Sequence, residues 1–324
     1  MNWKTNLFFT LLIPIILSCG NENNQINLDE PQDVAKVVER PDFSADSAYA
    51  FIEKQVSFGT RVPGSDAHLQ CSEWLVAKLE SLGLKVQLQS SVVTTAEKKQ
   101  VPCYNIIGSF NPEVKERKLL AAHWDTRPWA DQDTIQQDEA ILGANDGASG
   151  VGVLLEIARQ IQLSNLKEQG IDIIFFDVED SGLPSVENSY CLGSQQWGKY
   201  PYAPDYFAYK AILLDMVGAK DAVFAKEANS MLINPSLVNE VWDIAKQLGY
   251  SKYFVNKKSG PIIDDHVYVY QYTRIPMIDI IHYDPRTLTG FGDFWHTHQD
   301  NMDVISKETL QAVGETVLAA ILKK

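Results

Sequence analysis

Histidines and acids recur at five separate places in this chain, each just after an apolar run or inside a glycine-rich turn. His123 and Asp125 follow the run 118–122, and Asp146 sits within Gly143-Ala144-Asn145-Asp146-Gly147-Ala148. Glu179 and Asp180 come just after the run Ile171–Phe176, Asp215 closes 211–214, and His296 lies in Trp295-His296-Thr297-His298. Imidazole with carboxylate is a borderline ligand set that suits zinc. Two neighbouring acids can divide labour, one holding a metal while the other moves protons. The residues alone leave open which of Glu179 and Asp180 does which. A lone Glu-Asp pair would be read more simply as a solvated acidic loop. Five such groups in a chain with only six histidines argue for a shared site.

The elements that must position them alternate in type. Helical periodicity predicts helices over 45–55, from Ser65 to Leu82, over 147–161 and 235–248, and from Ser306 to Leu322. Ser65, Asn234 and Ser306 are suited to N-caps, and Gly83 to the position just past a helix. Strands are expected over 86–93 at an edge, 104–110 beside it, and buried over 118–122, 171–176, 211–214 and 275–281. Such alternation predicts one α/β domain, three-layer α/β/α, around a central mixed, mostly parallel sheet. Ligands of such sheets bind beyond the carboxyl ends of the strands, where the His and acids fall. The loops near 129–142 and 182–189 are expected to rim the pocket. His68 and Cys71 share one predicted helix, His68 on its surface and Cys71 on its apolar face.

With 324 residues and 45% hydrophobic content the chain can bury a large core. A net charge of -14 excludes a sequence-independent nucleic-acid binder, which needs a basic surface. Residues 1–18 have the pattern of an export signal: Lys4, then an apolar run from Leu7 to Leu17 that is short for a bilayer span. The run closes on Ile16-Leu17-Ser18-Cys19, which resembles a bacterial lipobox, with Cys19 as the lipidated residue. Residues 19–40 are then a flexible tether and 41–324 the catalytic domain. The expected protein is exported, lipid-anchored to a bacterial membrane, facing the periplasm, and monomeric. Cys71, Cys103 and Cys191 match no zinc pattern and indicate no disulfide framework.

The order His-x-Asp, Gly-Ala-Asn-Asp-Gly-Ala-Ser-Gly, Phe-Phe-Asp-x-Glu-Asp, Leu-Leu-Asp-Met-Val-Gly, Trp-His-Thr resembles the zinc aminopeptidase and glutaminyl cyclase superfamily. Within it, Ile263-Asp264-Asp265-His266, His282 and Trp295 before His296 resemble glutaminyl-peptide cyclotransferases of the animal type. The resemblance implies one Zn²⁺ per chain held by Asp146, Asp180 and His296. It implies Glu179 as general acid/base, Asp215 and Asp264 as hydrogen-bonded acids that bind the substrate amine, and Trp295 as pocket wall. His123, Asp125 and His282 would be supporting residues outside the working single-zinc site. The implied reaction converts N-terminal glutamine of a peptide to pyroglutamate and releases ammonia. Asp180 stands where animal cyclases carry Glu, so the ligand arm is one methylene shorter. Residues 181–186 lack the Trp those enzymes have there, and the animal-type disulfide is absent. The competing readings are a two-zinc aminopeptidase using His123, Asp146, Asp180, Asp215 and His296, and a non-catalytic lipoprotein receptor. No ligand is missing, which disfavours the receptor.

Overall fold

A computed structural model of the chain describes residues 40–323 apart from 165, 167 and 202–204. The signal segment, Cys19 and nearly all of the tether therefore lie outside the described residues. Ser44 opens α1 (Ala45–Val56) and Ser65 opens α2 (Asp66–Ser81), each hydroxyl accepting from a backbone N–H three residues on. After α2 the chain turns at Gly83, whose φ of +82° suits a residue without Cβ. The strands β1 (Lys85–Thr94) and β2 (Gln100–Phe110) form an antiparallel hairpin, followed by β3 (Arg117–His123). Next come α3 (Ala148–Ser164), β4 (Gly170–Phe176), α4 (Leu192–Lys199) and β5 (Ala208–Asp215). The remainder is β6 (Phe224–Lys226), α5 (Ala228–Ile233), α6 (Pro235–Gln247), β7 (Phe254–Lys258), α7 (Asp265–Thr273), β8 (Met277–Ile281) and α8 (Lys307–Leu322).

The main sheet has the order β1-β2-β4-β3-β5-β8, antiparallel at the β1–β2 and β2–β4 pairings and parallel from β4 onward. β6 and β7 form a separate two-stranded parallel pair. The central strands are apolar over 119–122, 173–176 and 211–214 because both faces are covered there. Leu120, Ala122, Ile173, Phe175, Ile212 and Leu214 point into the core with α1, α2, α3, α6 and α8. Their neighbours Leu119, Ala121, Ile174, Phe176, Ala211 and Leu213 pack on the other face with Trp197 of α4 and Val269 of α7. This period-two division is what makes three layers. The expected architecture, and β1 as an edge strand beside β2, hold.

Five elements, α4, β6, α5, β7 and α7, escaped the sequence reading, and for α4 and α7 the physical reason is plain. α4 carries two glycines in eight residues, and α7 is rich in valine and tyrosine, types that favour strands. Tertiary packing overrides both preferences: the helices lie against each other on the smaller face of the sheet. His68 is a correction. It is fully buried, with Nε2 2.9 Å from both Asp177 carboxylate oxygens and its ring stacked on Trp124 at 4.5 Å. The buried Asp177 carboxylate needs a partner there, and α2 supplies one by turning His68 inward.

Candidate active site

The parallel strands β3, β4 and β5 end side by side, so the residues beyond them face one cavity of about 630 Å³. The floor carries Asp146, Glu179, Asp180, Asp215, Asp264 and His296, and Trp295 forms part of the wall. Ligand atoms of Asp146, Asp180 and His296 lie within 4.8 Å of one another, all three residues being buried. His296 Nε2 is 3.2 Å from Asp180 Oδ1 and 3.7 Å from Asp146 Oδ2. Its Nδ1 is 3.1 Å from Asp131 Oδ1, which leaves Nε2 to face the acids. Asp180 Oδ2 is buried without a hydrogen-bond partner among the described residues. One imidazole and two carboxylates, with one carboxylate oxygen left bare, fit a zinc ion with an open side toward the cavity.

Each ligand is held from behind. Asp146 sits in a turn where the Asp300 carboxylate accepts the Asn145 and Asp146 N–H groups at 2.7 and 3.0 Å. Gly147 follows with φ +103°, and a Cβ there would lie 2.3 Å from the Asp125 carbonyl. Arg61 ties the same turn to β3 through the carbonyls of Trp124, Leu142 and Gly143. Asp125 does not face the cavity; its two oxygens accept the Glu179 and Asp180 N–H groups at 3.0 and 3.2 Å. The buried Arg127 donates to the Asp180 carbonyl and Oδ1 and pairs with Asp131. The short arm of Asp180 therefore still reaches His296. The loop near 129–142 supplies Asp131 from behind the ligand rather than rimming the cavity, whereas Leu183, Val186 and Asn188 of the second loop do line it.

The backbone is strained at the same place. Val178, Cys191, Met216 and His296 all have φ between +48° and +57°, although none is glycine. Val178 is β-branched, for which this region is an outlier costing on the order of 1–3 kcal/mol. The strained turns aim Glu179, Asp215 and His296 inward from their strand ends and loops.

Charge states divide within the cavity. Burial raises Asp180, but His296 and Arg127 outweigh it and hold the carboxyl below the usual range. Burial lowers the His296 imidazole, yet Asp180 and Asp131 lift it to about 9, a measure of how strongly these acids call for positive charge. Glu179 is pushed well above the carboxylate range by burial and by Asp180, Asp264 and Asp265, against the opposing pull of His123. Asp264 is raised to about 6 by burial and by Asp215.

His123 Nε2 lies 3.0 Å from Asp146 Oδ1 and 3.1 Å from Asp215 Oδ1, a second convergent group beside the first. Asp215 thus pairs with His123, and no Asp215–Asp264 hydrogen bond is present among the described residues. Asp264 instead N-caps α7, and carboxylate oxygens of Asp264 and Asp279 lie within 4.8 Å with His266. His282 packs against Phe294 and makes no hydrogen bond to the metal triad; burial lowers it to about 4. The residues missed from sequence are Arg61, Arg127, Asp131, Asp300 and Cys191. Only Arg127 and Asp131 carried a signal, a charged pair four residues apart in a loop otherwise read as a rim.

Residues 105–321 match the description Peptidase family M28. The chain belongs to that family. A glutaminyl-peptide cyclotransferase of Gloydius blomhoffii is 26% identical over 252 residues, covering 68% of this chain and 65% of that one. The match thus spans just under two thirds of that relative's length. Among solved structures, a Zn-dependent exopeptidase of Parabacteroides distasonis is 49% identical, with TM-score 0.86, covering 88% of this chain and 100% of that one. A Porphyromonas gingivalis glutaminyl cyclase is also 49% identical, with TM-score 0.84, covering 86% and 97%. The three-layer fold is therefore that of M28 enzymes. The donor set and these neighbours together make the cavity a zinc-type centre.

Proposed function

We propose that the chain is a glutaminyl-peptide cyclotransferase that closes N-terminal glutamine of peptides and proteins to pyroglutamate. The observation that carries this is the position of Asp264. The N-cap of α7 brings it within 4.8 Å of Glu179, so two acids stand beside the metal triad where a substrate amine must lie. The likeness to solved glutaminyl cyclases supports the same reading. Asp146, Asp180 and His296 would hold one zinc, which supplies a Lewis acid for the γ-carbonyl oxygen of the substrate glutamine.

The chain's own residues do the rest. The nucleophile and electrophile belong to one residue, so holding the near-attack shape contributes most. Asp215 and Asp264 bind the amine, and Trp295, its ring 3.6 Å from that of His296, walls the glutamine side chain. Glu179 accepts a proton from the α-amine as that nitrogen bonds to the side-chain amide carbonyl carbon, Cδ. It returns that proton to the departing amide nitrogen as the old C–N bond breaks, releasing ammonia. Its raised affinity for a proton suits both halves of that shuttle.

The second reading, a two-zinc aminopeptidase, is favoured by the convergence of His123, Asp146 and Asp215. Incubating the purified chain with Gln-peptides and with aminoacyl anilides, and counting bound zinc, separates the two. Ammonia release with one zinc supports the cyclase; release of free amino acid with two zincs sinks it. Lipid attachment at Cys19 on the periplasmic side, and a monomeric state, belong to the same proposal. Palmitate labelling that survives Cys19→Ser would overturn the anchor.

A further inference from the structure

We propose that Glu179, Cys191 and Asp264 form a second, soft-metal site whose occupation stops turnover. The consequence for turnover rests on the roles given above to Glu179 and Asp264, while the site itself does not. A carboxylate oxygen from each acid and the Cys191 sulfur lie within 4.8 Å of one another. Cys191 Sγ is 3.2 Å from Glu179 Oε1, donating its thiol hydrogen. The thiol is fixed there by the main chain. The Cys191 N–H donates to the Glu179 carbonyl at 2.8 Å, and the Leu192 N–H to the Val178 carbonyl at 3.0 Å.

A second, independent observation points to a ligand. Asp264 Oδ1 accepts the Asp265 N–H, but Oδ2 faces no N–H or hydroxyl donor among the described residues, its neighbour being the Asp279 carboxyl, although Asp264 is only 3% exposed. The electrostatics favour a cation as well. Asp146, Glu179, Asp180, Glu187, Asp215 and Asp264 line the cavity, and no lysine or arginine does. Glu179 and Asp264 line the cavity, and the fully buried Cys191 sulfur lies directly behind Glu179.

The donor set selects the class of ion. A thiolate beside two carboxylates prefers zinc or cadmium to magnesium or calcium, because soft sulfur is a poor ligand for hard cations. On binding, a sulfur–metal bond forms, the thiol proton leaves to solvent, and both carboxylates become ligands. Glu179 is then unable to take up the amine proton, and Asp264 is unable to hold the amine.

The test uses the full chain carrying one equivalent of zinc and cadmium as the probe. Cadmium should bind at one further equivalent, give a thiolate-to-cadmium charge-transfer absorption in the ultraviolet, and stop turnover over the same concentration range. Cys191→Ser keeps an O–H donor for Glu179, so its single zinc should remain. It should lose the difference absorption and need at least about tenfold more cadmium for inhibition. Comparing these two proteins isolates this thiol from the chain's other three cysteines. Asp264→Asn, which can still cap α7, should weaken cadmium binding as followed by the absorption alone. Equal absorption in wild type and Cys191→Ser, or equal inhibitory concentrations, would overturn the site. Failure of the cyclase reading would show differently, as absence of ammonia from Gln-peptides with the cadmium absorption intact.

Discussion

The two flanks of the cavity are built from the same residue type and reach opposite charge states. On the metal flank, Asp131 and Asp180 are buried or half-buried, yet both are held below the usual carboxylate range, because Arg127 and His296 face them. On the amine flank, Glu179, Asp215, Asp264, Asp265 and Asp279 are raised, by burial first and then largely by one another. His123 and His266 pull some of these acids down, but no arginine or lysine pairs with them among the described residues. The difference teaches that placement of cations, more than placement of acids, sorts the roles. On the proposed reading, one flank stays ionised and binds a metal, and the other holds and releases protons.

Four substitutions would break or sharpen this contrast. Glu179→Gln removes the proton carrier and should lower turnover by on the order of 10²–10⁴-fold. Bound zinc should be unchanged by metal analysis; its loss would mean that the roles of Glu179 and Asp180 are exchanged. Arg127→Met removes the buried cation of the metal flank and should destabilise the fold by about 3–5 kcal/mol in urea denaturation. A variant as stable as wild type would show that Asp180 and Asp131 need no such partner.

Glu227 tests whether an imidazole and backbone donors can depress a buried acid outside the metal centre. Burial raises it, but His266 and the N–H groups of Ser230 and Asn229 bring it down from 4.5 to about 2. Its contribution is therefore fully present above pH 4.5 and is lost as pH falls through about 2. Glu227→Gln should cost up to about 3 kcal/mol at neutral pH, with the two stability curves converging in acid. Parallel curves would refute the pairing. Asp131→Asn is the mildest change, because the amide keeps the shape but loses the charge that orients His296. Zinc affinity should fall by about 10–100-fold in a competition with a chelator, with the fold intact.

Much of the fold was legible because it follows from periodicity. The runs at 118–122, 171–176 and 211–214 are apolar except for Lys118 and Asp172, which marks strands covered on both faces. The caps Ser65, Asn234 and Ser306 all accept the hydrogen bonds their types suggest. α7 was illegible because its valines and tyrosines favour strands locally, and packing on α4 and the sheet decides otherwise. Arg61, Asp300 and the reach of Arg127 to Asp180 were illegible for another reason. They act on the ligands from 53 to 155 residues away in sequence, and nothing local marks such a contact.

The sequence by itself determined the layer architecture and the inventory of ligands, because side-chain period and residue type are local properties. It also determined where those ligands fall, since each follows a strand or a glycine turn. Only the tertiary structure decided their division of labour. Charge state depends on which groups a buried acid meets, and Asp264 meets Glu179 and Asp279 while Asp180 meets Arg127 and His296. It also decided where backbone strain is stored: Val178 holds φ +51° just past β4, where its carbonyl accepts the Leu192 N–H of α4.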